Sequence, residues 1–204
     1  RLIAGFSGSG KTLIARSLAE QFAARGLKVL FLLKNRQITQ KVTAQVSHLG
    51  REITVQTFHS YCESLGTRNR DDSFGEPNYD EHHLALHGKV DRQYAVLIVD
   101  EAQALNEADH LALRDHFANA RKFVFADELQ VLPGIEKGSS YRFLEETYDE
   151  RFFYLATVYR NPGGITQKMM EMRPPRHEVN CPRPISSEDL SRRISRPSSS
   201  MTTS

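Results

Sequence analysis

An α/β fold built on a parallel sheet with helices on both faces is predicted by three observations. Short apolar runs recur along the chain, they alternate with segments of helical period, and a glycine-rich turn joins the first run to the first helix. Most of the runs are continuous rather than alternating, as strands buried on both faces must be. Strands are expected near residues 1–5, 28–33, 53–57, 95–99, 122–126 and 152–156.

The first strand, around Leu2-Ile3-Ala4, runs into Gly5-Phe6-Ser7-Gly8-Ser9-Gly10-Lys11-Thr12, which fits the phosphate-loop pattern G-x-x-x-x-G-K-[ST]. Gly8 and Gly10 let the backbone turn tightly enough for successive N–H groups to face one phosphate chain, and the helix start behind them adds its positive dipole end. Lys11 is placed to reach the β- and γ-phosphates, and Thr12 to set its hydroxyl on Mg²⁺. Gly5, Ser7, Gly8, Ser9, Gly10, Lys11 and Thr12 are therefore the expected nucleotide-binding set. The helix that follows is expected over 11–24, with Leu13, Ile14, Leu18 and Phe22 spaced at about one turn and Gly26 ending it.

After the second and third strands, residues 67–93 break the rhythm with Asp, Arg, His, Asn, Gly and Pro, and read as a surface insertion or a small lobe. His82, His83 and His87 offer a metal pair at helical spacing, but no third ligand stands nearby, and the plainer reading is a solvated polar segment. The fourth strand, Val96-Leu97-Ile98-Val99, ends in Asp100-Glu101-Ala102-Gln103. Ligands of open α/β sheets collect at such strand ends. Asp100 is expected to hold Mg²⁺, and Glu101 to accept a proton from an attacking water. Two adjacent buried carboxylates need a cation to offset them; the structural alternative is an acidic helix N-terminus. Asn106 is the expected N-cap of a helix reaching about Asn119, with Leu111, Leu113 and Phe117 inside it.

Residues 1–173 form the expected domain, and residues 174–204, rich in Pro, Ser and Arg, are expected to be disordered because they bury too little apolar surface to offset chain entropy. The net charge of +2 divides unevenly: five arginines against three acids from Pro174 onward leave residues 1–173 formally neutral. That balance argues against a broad nonspecific basic face. No apolar run is long enough to cross a bilayer. Cys62 and Cys181 lack metal spacing and read as free thiols of a reducing, intracellular compartment. The chain opens at Arg1 directly on strand-like residues, which reads as an excerpt without a signal peptide.

Asp100-Glu101-Ala102-Gln103 resembles motif II of superfamily 1 helicases of the UvrD/Rep type, and further blocks follow in that family's order. Gln56-Thr57-Phe58-His59-Ser60-Tyr61-Cys62 is similar to its T-F-H-S block, Phe123-Val124-Phe125-Ala126-Asp127-Glu128-Leu129-Gln130 to motif III, and Leu155-Ala156-Thr157-Val158-Tyr159-Arg160 to motif IV. Together they span about residues 1–165. The resemblance implies the first RecA-like ATPase domain of such a helicase, with ATP and Mg²⁺ as ligands. It implies that Gln130 contacts the γ-phosphate or the lytic water, that Arg160 adds a positive fork to the γ-phosphate, and that Tyr159 stacks on adenine. It also implies single-stranded DNA or RNA contacts at Asn35, Arg36, Thr57, Phe58 and His59, although Phe58 reads equally well as a core residue.

The family works with two RecA-like domains, and after Arg160 nothing resembles the second. A chain of this kind is expected to bind ATP weakly and hydrolyse it slowly unless a second domain is supplied, because translocation needs two lobes that grip in alternation. The alternative is a non-catalytic module that keeps the nucleotide fold as a scaffold or switch for a partner.

Overall fold

The computed structural model describes residues 1–66, 82–127, 139–148, 152–159, 167, 168 and 171. The segment 174–204, the positions Gln130 and Arg160, and the first part of the expected insertion lie outside the described residues. Six strands pair side by side as β1 (Leu2–Gly5), β2 (Val29–Leu33), β3 (Ile53–Thr57), β4 (Val96–Val99), β5 (Arg121–Ala126) and β6 (Phe152–Leu155). Each lies within a residue or so of its expected place. Their order across the sheet is β3-β2-β4-β5-β1-β6, and every pairing is parallel.

The continuous apolar runs are explained by the two cores. Along β2, Val29, Phe31 and Leu33 face one side while Leu30 and Leu32 face the other, and β1, β4 and β5 alternate in the same way. On the first side lie α1 (Lys11–Ala23) and α2 (Arg36–Val46), which contribute Ala15, Ala19, Phe22, Val42 and Val46. The second side is covered by α3 (Phe58–Ser64), α4 (His82–Leu86), α5 (Glu107–His116) and α6 (Tyr141–Tyr148), through Tyr61, Leu86, Leu113, Leu144 and Tyr148. Full burial of one Phe or Leu in such a core stabilises the fold by about 1.5–3 kcal/mol. Phe31, Phe125, Leu30 and Leu97 all reach that state.

Two readings change. The face of α1 that is buried runs through Ala15, Ala19, Phe22 and Ala23, and Leu13 is left 60% exposed. The small alanines let the helix lie close on the sheet, so the bulkier Leu13 is turned outward. The second change concerns the histidine stretch at 82–87, expected as a solvated polar segment. Here His82, Ala85 and Leu86 are buried, and Leu86 belongs to the core beside α5. Among the described residues no cluster of three or more His, Cys, Asp or Glu side chains could hold a metal ion. Likewise, no described helix is long and apolar enough to cross a membrane.

Candidate nucleotide site and adjoining groove

Because β4, β5 and β1 are neighbours, the turns that leave their C-terminal ends share one edge of the sheet. The register pairs Ala4 with Ala126, which sets Gly5 level with Asp127. The loop after β1 needs its glycines for different reasons. A Cβ on Gly5 would stand 2.7 Å from Ser9 Oγ and 2.9 Å from Leu155 Cβ, so only hydrogen fits there. Gly8 and Gly10 adopt φ of 86° and 93°, in the left-handed region that side chains disfavour.

Lys11, the first residue of α1, is buried and folds back over the loop that precedes it. Its Nζ donates to the carbonyls of Gly5 at 2.8 Å and Phe6 at 2.9 Å, and forms an ion pair with Asp127 Oδ2 at 3.2 Å. Thr12 Oγ1 donates to Asp100 Oδ2 at 2.6 Å. The phosphate-loop helix and the acidic end of β4, 88 residues apart in sequence, are thus in direct contact. Burial pushes the Asp100 carboxyl up to about 6, against the Thr12 hydroxyl that favours its charged form.

Glu101 is the one described non-glycine residue with positive φ, at 53°. This turn sends its side chain to Gln103, whose Nε2 donates to Glu101 Oε2 at 2.5 Å. The other end of the same amide, Gln103 Oε1, accepts the backbone N–H of Asp127 at 3.0 Å. Gln103 therefore bridges the end of β4 to the end of β5. Behind it, the short 3-10 turn Ala102–Ala104 is braced from the second core. His110 meets the Ala102 carbonyl at 2.8 Å and the Tyr148 hydroxyl at 3.0 Å, while Ser139 Oγ donates to the Leu105 carbonyl at 2.7 Å. Burial lowers His110 to about 4, so its imidazole is neutral and one nitrogen donates while the other accepts.

Does this arrangement fit a magnesium nucleotide? No side chain caps the N-terminus of α1, so its first N–H groups remain for an anion at that end. Ser9 Oγ is buried without a hydrogen-bond partner among the described residues. Thr12 and Asp100 bring together two hard oxygen atoms of the kind Mg²⁺ accepts. The residues fit. Tyr159, expected to stack on adenine, donates its backbone N–H to the Gly8 carbonyl at 3.0 Å, and the residue is 75% exposed beside the loop.

The expected nucleic-acid residues gather at the C-terminal ends of β2 and β3. A groove of about 510 Å³ is lined by Arg36, Thr57, Phe58, His59, His82 and Asn106, among others. Their roles differ. Asn35 Oδ1 accepts from Gln37 N at 2.8 Å and so caps α2, and Thr57 Oγ1 caps α3 through Ser60 N at 3.1 Å. Phe58 is 5% exposed and belongs to the core, edge-on to His82, so its ring has no open face for a base. His59 bonds to His82 at 2.7 Å and approaches Glu63 at 3.2 Å. A larger cavity of about 680 Å³ lies at the other end of the sheet, near Arg1, Arg121 and Lys122, and holds none of the site residues.

Two residues of the site carried no assigned role in the sequence reading: Asp127 and Gln103. Asp127 had the same signal as Asp100, an acid directly after a buried strand. Gln103 could be placed only once β4 and β5 were known to be adjacent.

A sequence profile described as an AAA domain matches residues 1–174. Among solved structures, the chain is similar to the Hef helicase domain of Pyrococcus furiosus, at 16% identity over 75% of this chain and 34% of that chain, with a TM-score of 0.46. It is also similar to Arterivirus nonstructural protein 10, a helicase, in complex with DNA (13% identity, 88% and 41% covered, TM-score 0.46). A third is domain III of the Thermotoga maritima replication initiation protein DnaA (13% identity, 84% and 60% covered, TM-score 0.39). The chain thus spans less than two thirds of each of these three chains. No curated protein matches it.

Proposed function

Since the chain belongs to the AAA domain family over residues 1–174, we propose that it binds ATP with Mg²⁺ and hydrolyses it as the first motor domain of a superfamily 1 helicase. The observation that carries this reading is the contact of Thr12 with Asp100, which joins the phosphate loop and the acidic strand end beside Lys11. Thr12 and Asp100 would hold the metal, which when bound spreads the charge of the phosphates. Lys11 supplies a positive charge at the loop, and Glu101, oriented by Gln103, takes the proton of the attacking water. Gln130 and Arg160 are assigned to the γ-phosphate by their place in the motifs. Tyr159, whose backbone is anchored to Gly8, is assigned to the adenine ring by its place in the motif.

The groove beside Arg36, Thr57 and His59 is proposed to grip single-stranded nucleic acid, through phosphate contacts rather than through a Phe58 stack. A second RecA-like domain, in cis or in trans, would complete the motor. The decisive experiment compares ATP hydrolysis by the wild type and Lys11→Ala, with and without single-stranded DNA. Loss of at least about 100-fold in Lys11→Ala is expected. Equal rates in the two proteins would remove the proposal, and tight ATP binding with no turnover under any condition would leave a non-catalytic binding module in its place.

A further inference from the structure

A lysine ammonium has three N–H donors and no acceptor. In Lys11 all three are engaged, two by the loop carbonyls of Gly5 and Phe6 and the third by the Asp127 carboxylate. The pair is dry, with 5% of the Lys11 side chain and 1% of the Asp127 side chain exposed. A phosphate oxygen cannot add to this set; it has to replace a member of it. The two carbonyls belong to the loop itself and carry only partial charge, whereas Asp127 is an anion on a different strand that competes for the same cation as a phosphate.

We propose that Asp127 is the resident counter-ion of Lys11, displaced by the phosphates when nucleotide binds, and that it thereby sets nucleotide affinity. This rests on the nucleotide-binding reading above. In the unliganded state Asp127 satisfies a buried cation that would otherwise destabilise the loop. When phosphate arrives, the ammonium exchanges one anion for another. Asp127 acts through Lys11, so it is a positioning residue. Gln103 ties the exchange to the rest of the site: its amide holds the Asp127 backbone at one end and Glu101 at the other. The residue that reports loop occupancy and the proposed base thus share one side chain.

The test is a titration of ADP in EDTA, so that metal ligation plays no part, against wild type and Asp127→Asn. Asparagine keeps the shape and an acceptor oxygen but not the charge. Its weaker hold on Lys11 is expected to tighten ADP binding about tenfold, the ratio that separates a charge-assisted hydrogen bond from a neutral one. Structural damage would move affinity the other way. A folded Asp127→Asn protein with unchanged or weaker affinity overturns the proposal. If that variant does not fold, the carboxylate ¹³C resonance of Asp127 in the wild type serves instead: it shifts on ADP addition if the pair is exchanged and stays fixed if it is not. Failure of the wild type to bind ADP at all defeats the nucleotide reading itself, whereas equal binding by both proteins defeats only the counter-ion.

Discussion

Glu101 holds a backbone conformation that costs an L-residue about 1–2 kcal/mol, and it does so where its carboxylate meets Gln103. A non-glycine residue held there suggests that the side chain matters more than local stability. Glu101→Gln is expected to lower kcat by about 10²–10⁴-fold, with ATP affinity within twofold, as single-turnover and equilibrium binding measurements would show. At Asp100 the opposition between stability and function takes another form. Burial raises this carboxyl to about 6, so near pH 7.5 the unliganded protein holds a charge that its surroundings disfavour. Asp100→Asn is therefore expected to raise the melting temperature without ligand, by an amount worth about 1–3 kcal/mol, and to abolish the Mg²⁺-dependent gain in ATP affinity. A calorimetric melt that falls instead would show that the hydrogen bonds from Thr12 Oγ1 and the Glu101 N–H outweigh the burial. The residues that meet at this end of the sheet were legible in the linear order Gly10-Lys11-Thr12 and Asp100-Glu101. The orientation of Lys11 was not, since its partner lies 116 residues away.

The 3-10 turn bearing Gln103 is kept in place by α5, expected from the sequence, and α6, which was not. α5 begins at Asn106, whose Oδ1 accepts from Asp109 N at 2.8 Å, and α6 closes over it through Tyr148. Loss of the cap in Asn106→Ala is expected to cost about 1 kcal/mol in a denaturant titration. His110 adds a pH dependence whose sign follows from its depressed titration point. The unfolded chain takes up a proton near 6.5 and the native imidazole only near 4, so stability is full above about 6.5 and declines as pH falls toward 4. The span corresponds to about 3 kcal/mol. Chemical denaturation at pH 7.5 and pH 5 should show the loss, and His110→Gln should flatten it. Helices α1 and α5 were readable because their ends carry strong signals, the phosphate loop for one and Asn106 for the other. α2 and α3 were not identified, although Asn35 and Thr57 cap them, because both residues were weighed as nucleic-acid contacts. A polar residue at a strand's end can serve either purpose, and only its hydrogen bonds decide between them.

Across the whole molecule, one sheet edge supports two adjoining sites. Its β4-β5-β1 portion carries the phosphate loop, Asp100 and Asp127, and the β3-β2 portion opens the groove beside Arg36 and His59. On the proposed reading, nucleotide and strand would be held from one rigid base. Arg36→Glu, away from the pocket, is expected to weaken single-stranded DNA binding and lower the slope of log affinity against log salt by about 1, while nucleotide affinity is unchanged. Fluorescence anisotropy at several salt concentrations would measure it. An unaltered slope would remove the groove from the proposed interface.

The amino-acid order determined the strands, the phosphate loop and the acidic strand end, because these depend on side-chain character and spacing within a few residues. Tertiary structure decided the sheet order, and with it the pairing of Lys11 with Asp127, the Gln103 bridge, the burial of Phe58 and the absorption of Leu86 into the core. The physical reason is that such contacts depend on which strand lies beside which. That choice is made by the joint burial of surfaces far apart in the chain, and no local window of sequence contains it.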